Sequence, residues 1–415
     1  MEPFIHLHVH TQYSLLDGQA SIDALIDKAQ KDGMPAIAVT DHGVMFGIKE
    51  FFNKVSKKNG KPLGAIKDYE KENQPAEEQA RLEEIPAKIE EEKKKIFKPI
   101  FGCECYCARN GRHSKLASQN DRSGWHLIVL AKNLNGYKNL IKMVSLSWTE
   151  GFYGRPRIDK ELLEKYHEDL IICSACIGGE IPQHILNGRM DKAEESVLWF
   201  KNLFGEDYYL EIQRHETHDP NAAQDVYPHQ VTANKAILEL ARKHNIKVIA
   251  TNDVHFVNAE DAEAHDRLIC LSTGKDLDDP NRMRYTKQEW MKTTAEMNTI
   301  FSDIPEALSN TLEIADKVEF YSIDHGPIMP TFAIPEDFGT EEEYRQKFTE
   351  QDLFDEFTRD ENGNVVLSEE AAHDKIKKLG GYEKLYRIKL EADYLKKITY
   401  DGAKICYGDD LNDEV

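Results

Sequence analysis

Three histidines stand at alternate positions near the start of the chain: His6, His8 and His10, within the segment HLHVH. Successive side chains of a β-strand point to opposite faces, so these three imidazoles are expected on one face. Clustered imidazoles repel one another when protonated, whereas neutral imidazoles offer nitrogen ligands for a metal ion. The triplet therefore favours a metal site, with an exposed cluster or a set of hydrogen-bonded core histidines as the structural alternative.

The elements that must position these histidines follow a regular alternation. Between residue 4 and about residue 275, short apolar runs alternate with amphipathic helical stretches, a pattern typical of βα units. One predicted helix begins after Ser21 as N-cap and stops before Gly33. Predicted strands cover 4–10, 35–40, 99–107, 126–131, 169–175, 207–212 and 247–251. Seven strands, most of them followed by a helix, predict an α/β fold, either a barrel or an open and mostly parallel sheet.

Composition bounds the class of protein. The 415 residues, 40% hydrophobic and 31% charged, suffice for about two or three domains with a substantial core. No apolar run approaches the roughly 20 residues of a membrane helix and no secretory pattern is present, so we expect a cytoplasmic protein without a membrane partner. The odd number of cysteines, 7, fits a reducing compartment. A net charge of −21 argues against a surface that binds nucleic acid throughout, but it permits a local basic groove or a metal-assisted phosphate site.

Two segments depart from the βα rhythm. Residues 57–98 end in a run that is almost wholly charged, which predicts a solvated helical excursion or a flexible insertion. After about residue 275 the alternation stops, and helical and proline-bearing stretches lead into a polar, charge-rich tail from residue 340. We therefore predict one domain over 1–275 and a second region over 276–415.

Residues with metal-binding side chains recur at the ends of the predicted strands, where βα folds gather their functional groups. Those that follow strands are Asp17, Asp41, His42, Cys176, Asp253 and His255. Glu104 lies within a strand and His126 opens the next, so both reach the same edge only if one strand runs in the opposite direction or a short loop carries them there. Mixed nitrogen and carboxylate ligands suit zinc, manganese or iron, and shared carboxylates suit a multinuclear centre that activates water for attack on phosphate.

Each of these patterns also has a purely structural explanation. Asp41 and His42 are compatible with a turn capped by the aspartate, and the NDVH segment at 252–255 with an Asx-turn. The thiols of the CECYC segment at 103–107 are expected to be buried in the core. The C-x-x-C pair that ends at Cys176 is compatible with a dithiol or a zinc knuckle, although no second matching pair accompanies it.

Several motifs together carry a family resemblance. HLHVHTQYSLLDG, VTDHG, GCE, GWHLIVLAKN, SACIGGE and ATNDVHF resemble the metal-binding motifs of the polymerase and histidinol phosphatase (PHP) superfamily. HTQYSLLDG, YYLEIQRH, ATNDVHF and MPTFAIPEDFGTEEEY are similar to the N-terminal part of bacterial replicative DNA polymerase III alpha subunits. The resemblance covers most of the chain, apart from the charged insertion and parts of the tail. It implies a distorted seven-stranded (β/α) barrel of PHP type over 1–275, followed by a partial mixed α+β or helical segment that begins the polymerase palm region.

Carried over motif by motif, the resemblance implies a ligand set on the barrel rim for up to three metal ions. The implied ligands are His8, His10, Asp17, His42, Glu104, His126, Cys176, Asp253 and His255. Many superfamily members have histidine at the position of Cys176. Many carry aspartate at the position of His6, so His6 is expected to support the site rather than bind metal. Arg214 and His215 are candidate contacts for substrate phosphate.

The resemblance also implies a function. The complete ligand set favours a working centre of zinc, manganese or iron ions that hydrolyses phosphodiesters at the 3′ end of a DNA primer, which is proofreading exonuclease chemistry. The implied partners are DNA and other replicase subunits, including a proofreading exonuclease subunit. Two alternatives stay open: a stand-alone phosphoesterase that acts on small phosphate monoesters, and a non-catalytic scaffold.

The motif that carries polymerisation in the family does not occur in these 415 residues. Family polymerases hold two magnesium ions through a P-D-x-D-x-D-F motif in the palm. We therefore expect this chain to be either a piece of a longer nucleotidyltransferase, truncated before that motif, or an unusual stand-alone protein.

Overall fold

The structure is a computed structural model that describes residues 1–72, 81–115, 121–328, 332–360, 362–409 and 411. The chain divides into two compact units, residues 1–324 and residues 325–415. Part of the predicted charged insertion, residues 73–80, lies outside the described residues. Among the described residues, no helix is both long enough and apolar enough to cross a membrane.

A curled seven-stranded sheet forms the centre of the first unit. Its strands are β1 (Ala36–Val39), β2 (Lys98–Cys107), β3 (Trp125–Ala131), β4 (Arg157–Ile158), β5 (Leu170–Cys173), β6 (Tyr208–Ile212) and β7 (Val248–Ala250). They pair in the order β1-β2-β3-β5-β6-β7, with β4 beside β2. Strand β3 is antiparallel to β2 and β5, and the other pairs are parallel. The predicted α/β class is confirmed. Of the two ways in which residues 104 and 126 could reach the same edge, a reversed strand or a short loop, the structure has the reversed strand.

The first predicted strand, residues 4–10, closes this sheet without becoming a regular strand. On one side Thr40 N donates to Val9 O (2.8 Å), and on the other His10 N donates to Val254 O (2.7 Å). The segment therefore lies between β1 and the continuation of β7, which completes a distorted barrel. The apolar residues of this segment, which alternate with its histidines, are buried in the core: Ile5, Leu7 and Val9.

Helices surround the barrel. Those of the first unit are α1 (Ile22–Lys31), α2 (Ile48–Lys58), α3 (Gly60–Glu72), α4 (Arg81–Lys93), α5 (Leu134–Thr149), α6 (Lys160–Tyr166), α7 (Glu180–Leu186), α8 (Met190–Phe204), α9 (Val226–His244), α10 (Ala262–Thr273), α11 (Thr294–Ile300) and α12 (Glu306–Lys317). Helix α1 follows the sequence prediction: Ser21 Oγ accepts from Ala24 N (3.3 Å), and Gly33 ends the helix in a left-handed conformation (φ +80°). Within the charged insertion, α3 and α4 pack against each other, and Ile66 and Ile85 are buried.

The first unit continues past the predicted boundary near residue 275. Phe256 and Trp290 form a parallel bridge, which adds a short extended segment beside the loop after β7. Helix α12 packs against β7, where Asn310 Nδ2 donates to Val248 O (2.8 Å). Residues 276–324 are therefore an integral part of the barrel unit, although the βα alternation of the sequence has ended.

The second unit, residues 325–415, is mainly helical over its described part. Its helices are α13 (Glu341–Lys347), α14 (Glu350–Thr358), α15 (Glu369–Leu379) and α16 (Tyr382–Tyr407). They enclose a small core of their own, formed by Tyr344, Leu353, Ile376, Leu385, Tyr386 and Leu390. The assignment of this region to the opening of a polymerase palm stays a prediction.

Arg157 on β4 holds two loops at the mouth of the barrel. Its side chain is fully buried, and its guanidinium donates to the carbonyl oxygens of Gly151 (3.0 Å), Asp121 (2.6 Å), Arg112 (2.9 Å) and Ser114 (2.7 Å). Because a guanidinium presents donors in a fixed planar fork, one side chain satisfies acceptors from both loops.

Replacing Arg157 with methionine should remove this donor from the buried carbonyl groups of Gly151, Asp121 and Arg112. We expect the free energy of unfolding, measured by urea denaturation, to fall by about 3 to 5 kcal/mol. Arg242 on α9 is the matched control, because its guanidinium is exposed and, within the part of the chain that the structure describes, donates only to Leu238 O of the same helix. Arg242→Met should change the free energy by less than about 0.5 kcal/mol. Equal effects of the two substitutions would contradict this account of Arg157.

Candidate metal centre

His8 and His10 project from the N-terminal segment into the mouth of the barrel. Their rings lie 5.2 Å apart, and their Nε2 atoms lie 3.2 Å apart. His6 is held away from them, because its Nε2 atom lies 2.7 Å from the carbonyl oxygen of Lys292. All three histidines are buried, as an alternating segment inside a closed barrel requires.

Glu104 on β2 is the carboxylate around which the cluster assembles. Its side chain is only 1% exposed, and its Oε1 atom lies 2.8 Å from His126 Nδ1 and 3.3 Å from His8 Nε2. Its Oε2 atom lies 2.5 Å from His42 Nδ1 and 3.7 Å from His10 Nε2. His126 reaches this carboxylate because it opens β3, which runs antiparallel to β2.

Cys176 follows β5 and lies beside His126 and Glu104. Its Sγ atom lies 3.6 Å from His126 Nδ1 and 3.9 Å from Glu104 Oε1. Gly178 packs on the His126 ring, since a Cβ at this position would lie 3.0 Å from the imidazole. The GG pair of SACIGGE thus permits a close approach between this loop and the histidine.

Asp253 and His255 come from the loop after β7. Asp253 Oδ1 lies 3.0 Å from His8 Nε2 and 3.2 Å from His10 Nε2. His255 Nδ1 lies 2.7 Å from the carbonyl oxygen of Asp253, a contact in which the ring must donate. That hydrogen bond leaves His255 Nε2 free to act as a ligand and directs it toward Asp17 Oδ1, at 3.8 Å.

Asp17 completes the cluster at its solvent side. Its Oδ2 atom lies 3.0 Å from His42 Nε2, and its Oδ1 atom accepts from the hydroxyl of Tyr285 (2.9 Å). The structure therefore brings together all nine side chains that the sequence singled out as ligands.

Three loop residues of the site adopt left-handed backbone conformations that are unusual outside glycine: Leu16 (φ +60°), Ala175 (φ +63°) and Asp253 (φ +46°). Leu16 precedes Asp17, and Ala175 precedes Cys176. Such conformations cost roughly 1 to 3 kcal/mol each and persist where the surrounding structure enforces them, as at functional sites.

Seven of these nine side chains form three overlapping groups, in each of which the potential ligand atoms lie within 4.8 Å of one another. The groups are His10 with His42 and His255, His8 with His10 and Glu104, and Glu104 with His126 and Cys176. His10 and Glu104 each belong to two groups. A carboxylate such as that of Glu104 can bridge two metal ions through its two oxygens, whereas the Nε2 atom of His10 can bind one ion only.

Comparison with known proteins gives the family. The profile described as "PHP domain" matches residues 6–215. The chain belongs to the PHP domain family. Seven of the nine clustered residues lie inside the matched range, and Asp253 and His255 lie beyond it.

Curated relatives of this PHP domain protein are named "DNA polymerase III subunit alpha". The one from Borreliella burgdorferi is 43% identical over 352 residues, which is 84% of this chain and 27% of the relative. The one from Treponema pallidum is 34% identical over 88% of this chain and 27% of the relative, and the one from Campylobacter jejuni is 32% identical over 97% and 30%. The chain thus spans less than a third of the length of these relatives.

The donor atoms of the PHP domain cluster fit metal ions. Among the described residues, three buried atoms of the cluster form no well-aligned hydrogen bond: His42 Nδ1, Glu104 Oε2 and Asp253 Oδ1. They nevertheless lie close to one another or to the other ligands, with His42 Nδ1 2.5 Å from Glu104 Oε2 and Asp253 Oδ1 3.0 Å from His8 Nε2. Buried polar atoms are normally well satisfied, so these poorly aligned contacts fit donor atoms that are directed at a bound group. Imidazole nitrogens and carboxylate oxygens are ligands that zinc, manganese and iron accept.

The pKa values of two neighbouring histidines, His8 and His10, are shifted in opposite directions. Burial opposes protonation of His8, but the carboxylates of Asp253 and Glu211 outweigh it and raise the pKa of His8 well above its ordinary value. Burial, followed by repulsion from neighbouring imidazoles such as His42, lowers the pKa of His10 to about 3. The neutral His10 ring is therefore available as a ligand at any physiological pH.

The carboxylates are held ionised. Burial opposes ionisation of Glu104, but the imidazoles of His126 and His42 outweigh it and keep the pKa of Glu104 well below its usual range. The pKa of Asp253 is lowered in the same way, against burial, by neighbouring imidazoles. Burial raises the pKa of the Cys176 thiol well above its ordinary value, so a metal ion would have to displace its proton.

Glu211 on β6 is a site residue that sequence reasoning missed. Its Oε1 atom lies 2.8 Å from His8 Nδ1 and accepts from Thr251 Oγ1 (2.5 Å) and Gln213 Nε2 (3.0 Å). This contact orients the His8 ring so that Nε2 faces the cluster. The available signal was an acidic residue inside the otherwise apolar or aromatic strand YYLEI.

Asp41 has the capping role that the sequence left open. It accepts from Thr11 N (2.7 Å) and from Ser14 Oγ (2.7 Å), and so fixes the loop that follows the histidine segment. Ser14 Oγ also lies 3.0 Å from His10 Nδ1, which leaves His10 Nε2 facing the cluster.

Arg214 and His215, predicted to contact substrate phosphate, are not brought into the cluster. The guanidinium of Arg214 donates to both carboxylate oxygens of Asp303 (2.6 and 2.8 Å). His215 is buried, and its Nε2 atom lies 3.2 Å from Asn252 O. Contacts within the fold therefore hold both side chains. The partners of these contacts lie far away in the sequence, so the sequence alone did not indicate them.

The buried ring of His6 makes stability depend on pH. Burial lowers the pKa of His6 to about 4, whereas in the unfolded chain it returns to about 6.5. As the pH falls, the unfolded state takes up this proton first, so stability is lost between about pH 6.5 and pH 4.

We expect His6→Gln to reduce the difference in free energy of unfolding between pH 7 and pH 5 by about 2 kcal/mol. The measurement is urea denaturation at both pH values with EDTA present. His113→Gln is the matched control, because the His113 side chain is 65% exposed and should leave the pH dependence unchanged. An unchanged pH dependence in His6→Gln would show that burial of this ring does not carry the effect.

Proposed function

We propose that this PHP domain hydrolyses phosphodiester bonds at the 3′ end of DNA through a multinuclear metal centre. We also propose that the chain is the N-terminal part of a replicative DNA polymerase. The observation that carries the proposal is the set of three overlapping ligand groups on one rim of the barrel. The name of the curated relatives supports a role in DNA replication. DNA-directed nucleotidyl transfer with magnesium belongs to this proposal as an activity of the longer polymerase.

The proposed ligands are His8, His10, Asp17, His42, Glu104, His126, Cys176, Asp253 and His255. Zinc, manganese or iron bound there would activate water and stabilise the charge that develops on phosphate oxygens. Glu211 and Ser14 support this arrangement, because their contacts with Nδ1 of His8 and His10 turn both Nε2 atoms toward the cluster.

Only some side chains of the cluster are accessible to solvent, and these indicate the side from which a substrate would approach. The side chains of His8, His10 and Glu104 are almost inaccessible, whereas those of Asp17 and His126 are 23% and 26% exposed. A phosphodiester would therefore reach the centre from the side of Asp17, His42 and His126.

The proposed partners are a DNA primer end and other subunits of a replicase, including a proofreading exonuclease subunit. The relatives' name supports this assignment. A phosphoesterase for small phosphate monoesters and a non-catalytic scaffold are the competing functions, and the experiments below separate them.

Replacing Cys176 with serine should remove one metal ion and leave the others. Cys176 belongs to one ligand group, and the remaining two groups do not contain it. We expect the bound zinc or manganese, measured by mass spectrometry of the desalted protein, to fall by about one ion per chain. Cys270→Ser, at a cysteine in α10 outside the three groups, should keep the full complement. Loss of all ions or of none from Cys176→Ser would contradict three separable sites.

Replacing Asp253 with asparagine should abolish nucleotide release from a 3′-mispaired primer in the presence of manganese or zinc. The substitution removes one charge next to His8 and His10, and we expect a loss of at least about a hundredfold in kcat/KM, equivalent to roughly 2.7 kcal/mol. Asp303→Asn is the matched control, since Asp303 is an exposed carboxylate paired with Arg214.

The substrate decides between the competing functions. Release from primed DNA that exceeds turnover of p-nitrophenyl phosphate supports the nuclease, and the reverse order supports the monoesterase. Bound metal without turnover of either substrate would favour the scaffold.

A further inference from the structure

A cleft opens directly beside the solvent side of the cluster. The cleft is lined by Asp17 and His42 of the cluster and by Trp148, Phe152 and Arg155. Its volume is about 170 Å³, comparable to the roughly 150 Å³ cavity that suffices for one benzene ring. The cleft is therefore large enough for one aromatic ring system.

The walls of this cleft carry large apolar side chains that are exposed. Trp148 and Phe152 are 44% and 45% exposed, and Leu15 and Phe46 are 69% and 59% exposed. Scattered exposed hydrophobic side chains are ordinary, but several that line one cleft indicate a binding surface. Since Asp17 and His42 of the cluster line this cleft, a molecule bound in it would lie next to the cluster.

The rings of Trp148 and Phe152 stack on each other and together form an aromatic platform, on whose outer face a further ring can stack. Their ring centroids lie 5.5 Å apart with an interplanar angle of 19°, which is a stacked arrangement. The indole Nε1 of Trp148 donates to Gly43 O (2.9 Å), so the platform is tied to the residue after His42. Aromatic side chains of this kind stack on the bases of single-stranded nucleic acids.

Two arginines beside the platform supply charge for a polyanion. Arg155 and Arg122 are exposed and form no ion pair with any described residue, although the chain has 74 acidic residues against 53 lysines and arginines. Both guanidinium groups instead lie over tyrosine rings, Arg155 over Tyr106 and Arg122 over Tyr153, each at 5.6 Å. Unpaired arginines at the rim of an otherwise acidic protein complement the phosphates of a nucleic acid strand.

We propose that this cleft binds the 3′-terminal nucleobase of single-stranded DNA, stacked on the outer face of the Trp148–Phe152 pair, while Arg155 contacts the strand's phosphates. The inference rests on the proposed nuclease function and adds a base subsite to it. A base seated in the cleft would place the adjacent phosphate beside Asp17 and His42. A frayed or mispaired base reaches the cleft at lower cost than a paired base, which must first be separated from its partner. This subsite would therefore select frayed or mispaired primer ends.

The test is equilibrium binding of single-stranded octathymidylate derivatives that carry 2-aminopurine, a base whose fluorescence is quenched by stacking. One probe carries it at the 3′ end and the other at the 5′ end, and EDTA prevents hydrolysis. We expect the quenching to be confined to the 3′ probe. Phe152→Leu, which retains apolar bulk but removes the ring, should weaken binding of this probe at least about fivefold, the equivalent of roughly 1 kcal/mol per stacked base.

The matched control is Phe332→Leu, since Phe332 is an exposed phenylalanine stacked on Tyr394 in the second unit. It should leave the affinity unchanged. Arg155→Gln should weaken binding of both probes and reduce the slope of log affinity against log salt by about one. Circular dichroism confirms that each variant is folded.

Equal quenching of the two probes, or equal affinity of Phe152→Leu and Phe332→Leu, would overturn the subsite. So would a concentration-dependent dimer in sedimentation that Phe152→Leu dissociates, because the cleft would then be a contact between two copies of the chain. Binding is measured without turnover, so the absence of nuclease activity leaves this test valid. Conversely, if Phe152→Leu kept full nuclease activity and unchanged binding of the 3′ probe, the proposed base subsite would be wrong, whereas the proposed nuclease function would stand.

Discussion

The buried carboxylate of Glu104 is the constraint on which the rest of the structure depends. An ionised carboxylate inside a protein loses several kcal/mol of hydration, so it is stable only when opposite charge and hydrogen-bond donors surround it. Here the imidazoles of His8, His42 and His126 provide that compensation, each from a different segment of the chain. The fold of the barrel and the stability of the cluster therefore depend on each other. The buried charge of Glu104 is tolerated only when the segments that carry these three imidazoles come together.

The reversed direction of β3 follows from the same constraint. A strand that runs parallel to β2 would place its first residue at the far edge of the sheet, away from the cluster. In the antiparallel pair, Tyr106 lies opposite His126, so the imidazole stands at the edge where β2 ends. The backbone strain at Ala175 and Asp253 is a further cost of bringing loops to this edge, and it is offset by a core of apolar residues beneath them.

The cluster is closed on one side and open on the other, and the two sides differ in chemistry. The inner side consists of polar contacts that fix ring orientations, such as Glu211 on His8 and Ser14 on His10. The outer side ends in a cleft with exposed aromatic rings. The inner side therefore holds the ligands in fixed orientations, and the outer side is accessible to a substrate. Active sites in general combine rigid supporting contacts with accessible loops in this way.

The sequence by itself determined the alternating βα order, six of the seven regular strands, and a set of ligand-type residues that the fold collects at one rim. These features follow from local periodicity and from the residue types at strand ends. Only the tertiary structure decided that residues 4–10 close the barrel through bridges, that Glu211 orients His8 and that Arg214 pairs with Asp303. It also decided that residues 276–324 belong to the barrel unit. Each of these outcomes is a pairing between residues far apart in the chain, and such a pairing depends on how the segments pack rather than on any pattern within one segment.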